Sequence, residues 1–229
     1  MDADESRRGS RSLPEETAHG WTAPERDDLS RILALSDGVF AFAMTLLVLN
    51  LTGLSFLNCG TAALPCSAPV LDAGLADNIS VFVGYAIVFF VVALWWTNHH
   101  RIFRFIERYD STLVWYNIIL LIFIAATPFA LEVFNRFSDT TTGVVLFAAV
   151  SGFTGLMLGA VWWHALGPAG LVSPKFPQVE RHIARRRSMF IPLVFFASVP
   201  VAFVAPSIAA YLWAIAFPVG LLMRHYGPA

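Results

Sequence analysis

Residues 31 to 51, RILALSDGVFAFAMTLLVLNL, form an apolar run with Arg31 at its mouth and Ser36, Asp37 and Gly38 inside it. A helix needs roughly 20 mainly apolar residues to cross a bilayer, and this stretch has that length. A carboxylate placed in hydrocarbon costs at least about 2.5 kcal/mol on insertion scales, so Asp37 must face protein or water and serve function or assembly. The chain is 57% hydrophobic and only 14% charged over 229 residues, which excludes an ordinary soluble domain. An all-α integral membrane protein is expected.

Six segments are read as spans: about 32–51, 79–97, 111–134, 142–166, 188–206 and 207–223. The last is short and follows Pro206. Residues 1–29 mix charge, Pro, Ser and Gly without apolar periodicity, so they read as a disordered cytoplasmic tail, and 30–225 as the membrane domain. Acidic residues and Pro14 separate Arg7, Arg8 and Arg11 from the first apolar run, so the first helix is expected to be retained rather than cleaved. Basic residues near helix ends stay in the cytoplasm. With both termini inside, Arg136 is the single exception among the 15 Lys and Arg residues.

The net charge of −1 and the run RHIARRR, which lacks aromatic interleaving, give no sign of nucleic-acid binding. The run reads as an anchor at anionic lipid headgroups. Cys59 and Cys66 both fall in the longest outer connection, where either a disulfide or two free thiols fits. No metal site is expected. There is no HExxH, GxSxG or P-loop, so the chain does not read as an enzyme, and no cofactor is implied.

The second polar cluster is WWTNHHRIFRFIERYD, residues 95–110. His99 and His100 cannot share one helix face, and a buried one of the two would supply the donor that Asp37 requires. Asn117 lies about two turns inside the third span and is expected to bond across helices. Pro128 is expected to kink or end that helix near Glu132. Gly155 and Gly159 form a GxxxG spacing suited to close packing within the bundle or between copies. His164 reads as interfacial.

Taken together, Arg31 followed by Leu35-Ser36-Asp37-Gly38-Val39-Phe40-Ala41, then Trp96, His99, His100 and Arg101, then Asn117, Pro128 and Phe129, resemble the transmembrane protein 175 family. These are endosomal and lysosomal potassium channels and their bacterial relatives. The resemblance implies a homotetramer with six helices per subunit, the first helix lining a central pore, and no TVGYG filter. It maps the apolar constriction onto Phe42, Leu46 and Leu49 and a threonine layer onto Thr45. Arg31, Ser36, Asp37, Trp96, His99, His100 and Asn117 become a structural polar network.

At about 100° per residue, Leu35, Gly38, Phe42, Thr45 and Leu49 fall on one stripe, with Asp37 about 140° from Phe42. Phe42 stands where the family usually has Ile or Leu, and Leu35 replaces its Phe. The expectation is a potassium-permeable cation channel in a prokaryotic cell membrane, with itself, lipid and potassium ions as partners. The alternative is a small proton- or ion-coupled transporter relaying through Asp37 and His99 or His100.

Overall fold

The computed structural model describes residues 23–54, 57, 59–60, 66–168, 170–173, 178–209 and 211–213. Within them the chain is helical: α1 (Ala23–Leu46), a 3-10 segment Leu47–Leu51, α2 (Ala68–Asp77), α3 (Ile79–Phe103), α4 (Ser111–Arg136), α5 (Thr141–Ala165), α6 (Gln178–Ser188) and α7 (Phe190–Ala202). Among the described residues, four helices are long and apolar enough to cross a membrane: 28–51, 79–103, 111–136 and 141–165. They coincide with the first four expected spans. The fifth is represented by the 13 residues of α7, and residues 214–223 of the sixth lie outside the described residues.

Helix ends follow local chemistry. The Asp110 side chain accepts from the Leu113 N–H at 2.8 Å to start α4, and the Thr140 hydroxyl accepts from the Gly143 N–H at 3.2 Å to start α5. α1 begins at Ala23, inside the stretch expected to be tail; residues 1–22 are outside the described residues. α4 runs through Pro128 to Arg136, so the expected end near Glu132 does not occur. Beside that proline, the Thr127 hydroxyl donates to the Phe123 carbonyl at 3.0 Å, and Asn50 Nδ2 donates to the Pro128 carbonyl at 3.4 Å. Backbone oxygens around the proline thus have side-chain donors.

α5 is the central column, packed by α4 on one side and α7 on the other, while α1 lies against α3 and α4. Lipid tails are as apolar as Leu, so helices associate in a membrane through close packing and hydrogen bonds more than through burial. The α5 glycines provide that closeness. A Cβ on Gly152 would lie 3.0 Å from Phe196 Cζ, and one on Gly155 would lie 3.0 Å from Pro192 Cδ. Gly159 packs against Met189 and Ser188. The GxxxG spacing is therefore used within the subunit.

One end of the bundle gathers Arg101, Arg104, Arg108 and Arg185 and is called the basic end here. There the α3–α4 connection pairs with the segment after α5: Ile106 bridges Val172 in antiparallel fashion, and the Glu107 N–H donates to the Leu171 carbonyl at 2.8 Å. At the far end, Cys59 and Cys66 are joined by a disulfide, with Cα atoms 5.1 Å apart. Of the two pairings left open by the sequence, the structure has the bonded one.

Candidate functional site

α1 and the 3-10 segment that continues it have two unlike faces. Ser36, Phe40, Ala43, Leu47 and Asn50 are buried against α3 and α4. On the opposite side Leu35, Gly38, Phe42, Thr45 and Leu49 are all exposed, with Phe42 at 62% and Leu49 at 55%. Ala34, Ala41 and Val48 flank them and are exposed too, whereas Leu46 is half-buried at the rim. The stripe read from the sequence is thus the side of α1 that its own subunit leaves uncovered. Gly38 has open space where a side chain would begin. The Thr45 hydroxyl donates to the Phe42 carbonyl at 2.8 Å, so its proton is occupied and its lone pairs are the free part.

Behind this face runs a directed chain of hydrogen bonds. Asn117 Nδ2 donates to Ser36 Oγ at 2.9 Å, and Ser36 Oγ donates in turn to the Ile32 carbonyl at 2.9 Å. The Asn117 oxygen is left as an acceptor for His99 Nε2 at 2.8 Å, which assigns the ring proton to Nε2. Ser36, His99 and Asn117 are all buried, so α1, α3 and α4 are tied together at one level by fully desolvated groups. Phe103 stacks on His99 with ring centroids 4.4 Å apart, and Phe40 lies 5.5 Å away on α1.

Asp37 has a different partner from the one expected. Trp96 Nε1 donates to Asp37 Oδ1 at 2.7 Å, and neither His99 nor His100 makes that bond. The reason is rotational phase: Ser36 and Asp37 point about 100° apart, so only Ser36 reaches the core. On α3, Trp95 and His99 face the core, while Trp96 and His100 share the outer face and stack on each other at 5.5 Å. Arg31 is exposed one turn before this network.

Two further pairings were not read from the sequence. Asp110 and His164 pair at 2.8 Å, linking the start of α4 to the end of α5, and Tyr116 meets the His164 ring edge-on at 5.8 Å. Burial pushes the Asp110 carboxyl up, but the Leu113 N–H and His164 outweigh it and hold the pKa below the ordinary 3.8. Arg185 donates to the Trp163 carbonyl at 3.1 Å and lies over the Trp163 ring at 5.5 Å, so one arginine of the basic run caps α5. His164 is thus a pairing residue as well as one near the helix end.

The sequence profile of the family described as the endosomal/lysosomal potassium channel TMEM175 matches residues 31–128. A potassium channel of Streptomyces collinus is 27% identical over 213 residues, 88% of this chain and 92% of that protein. A potassium channel of Chamaesiphon minutus is 25% identical over 190 residues, 80% of this chain and 88% of that one. The endosomal/lysosomal proton channel TMEM175 of Danio rerio is 25% identical over 150 residues, 66% of this chain but only 27% of that longer protein. In fold, the crystal structure of a lysosomal potassium-selective channel TMEM175 homolog from Chamaesiphon minutus covers 89% of this chain and 100% of its own. Its TM-score is 0.66 and its sequence identity 21%. The resemblance read from the Ser36-Asp37 helix is therefore shown: this chain is similar to the TMEM175 channels in sequence over residues 31–128 and in fold over most of its length.

Proposed function

We propose that this chain is the subunit of a homotetrameric, potassium-permeable cation channel whose pore is lined by the exposed face of α1. The observation that carries this reading is the stripe Leu35, Gly38, Phe42, Thr45 and Leu49, turned away from its own subunit along one helix. It is supported by the potassium channels that the chain resembles over most of their length. Four copies of the stripe meeting on an axis form an apolar neck at Phe42, Leu46 and Leu49. Ion passage there is controlled by hydration rather than by backbone carbonyl coordination. The Thr45 lone pairs offer oxygen ligands next to the neck, because the hydroxyl proton is already donated to the Phe42 carbonyl.

In this reading, Ser36, Asn117 and His99, with Asp37 and Trp96 beside them, brace the pore helix from behind. Six spans with both termini in the cytoplasm set the basic end inside and the disulfide loop outside a cell membrane. A transporter relay through Asp37 and His99 or His100 has less support, because Asp37 bonds to Trp96 and His99 to Asn117, and His100 meets Trp96 by ring stacking. Flux from liposomes under potassium, sodium and proton gradients tests the proposal. Uncoupled downhill potassium flux supports it, and transport that saturates and requires a second ion refutes it. The proton arm is included because the vertebrate relatives are named proton channels.

A further inference from the structure

Beside the far end of α1, α4 carries a charge pair that stability does not explain. Arg136, in the last turn of α4, donates from Nε to Glu132 Oε1 one turn earlier, and the two side chains are 61% and 32% exposed. An exposed pair at this helical spacing contributes only about 0.3–0.5 kcal/mol. Its position is more informative than its strength. The guanidinium packs over Gly53: a Cβ there would lie 3.2 Å from Arg136 Nη2 and 3.8 Å from Glu132 Oε1. Gly53 directly follows Thr52, which is exposed and donates its hydroxyl to the Leu49 carbonyl at 2.7 Å, so the pair lies level with the far end of the stripe proposed to line the pore, on the α4 side of it. The neighbouring Asn50, bonded to the Pro128 carbonyl, holds this end of α1 against the same helix that carries the pair. Between Arg31 and Arg101 the sequence contains no Lys or Arg, so Arg136 is the basic group of this end.

We propose that Glu132 and Arg136 set the potential at the far mouth of the pore, with Arg136 restraining cation entry and Glu132 neutralising it. This rests on the pore reading of α1. A charge beside a low-dielectric opening changes the local concentration of the permeating ion far more than it changes stability. The effect weakens with salt, because the screening length falls from about 30 Å at 0.01 M to about 3 Å at 1 M.

The test is single-channel conductance of the assembled protein in planar bilayers, with potassium chloride on the far-end side. At about 0.01 M, Arg136→Gln leaves Glu132 unpaired and is expected to raise potassium entry from that side about twofold or more, and Glu132→Gln to lower it. The double variant returns to the parent value, Arg136→Lys keeps it, and all differences vanish near 1 M salt. Unchanged conductance, shifts of the two single variants in one direction, or shifts that ignore salt overturn the proposal. Phe42→Ala is measured in the same bilayers. If it alters conduction while the charge variants do not, the pore reading stands and this inference fails; if none of them does, both fail.

Discussion

At the scale of single residues, Asn117 is the keystone of the buried network, since it alone serves both Ser36 and His99. Asn117→Ala leaves the buried His99 Nε2 without an acceptor and takes one of the two hydrogen bonds of Ser36, and the expected loss is about 1–3 kcal/mol, read as a lower unfolding midpoint in detergent. Asp37→Ala removes the acceptor of Trp96 only, at the half-buried edge, and is expected to cost less than Asn117→Ala. Asp110 gives a pH dependence of known sign. Its folded pKa lies below 3.8, so its contribution is present above 3.8 and is lost as pH falls through the folded value. Hydrogen exchange at the start of α4 should therefore accelerate below that pH in the parent, and in Asp110→Ala it should already be fast at neutral pH. The polar residues of the network were legible in the sequence because each is costly in a membrane. Their pairing was not, because it depends on how α3 is rotated against α1, and one residue of phase moves Asp37 from a histidine to Trp96.

At the scale of elements, the glycines of α1 and α5 make opposite predictions. Gly155 faces the ring of Pro192, which has no flexible end to swing away, so Gly155→Val should separate α5 from α7 and cost about 1–3 kcal/mol in thermal stability. Gly38 meets nothing within its own subunit, so Gly38→Leu should leave the subunit's helical content and stability unchanged while abolishing conduction, if four copies meet there. A variant that conducts normally would remove Gly38 from the pore. The first four spans were legible to within a few residues because 20-residue apolar runs have few alternatives in a membrane. The start of α1 was not, since its first turns, Ala23 onward, are polar and continue a helix whose apolar part begins later. Nor was the passage of α4 through Pro128, beside which Thr127 and, from another segment, Asn50 donate to backbone carbonyls.

At the scale of the whole molecule, the subunit leaves apolar surface uncovered on more than one side. Besides the α1 stripe, Trp115, Ile122 and Phe129 on α4 are exposed at heptad spacing. Both faces are uncovered, and because the first helix is apolar nearly all round, its pore face was read from the family resemblance rather than from periodicity. Water distinguishes them, because a conducting pore is wet and a lipid-facing surface is dry. The two native cysteines are bonded to each other, so an introduced cysteine is the reactive thiol of the chain. The direct measurement is block of potassium flux by a small cationic thiol reagent in Phe42→Cys and Leu49→Cys, with Ile122→Cys on the exposed α4 face as the comparison. The account predicts rapid block at positions 42 and 49 and none at 122; flux that is insensitive at 42 and 49 while the thiols of well-folded protein stay unmodified would contradict a pore lined by the first helix.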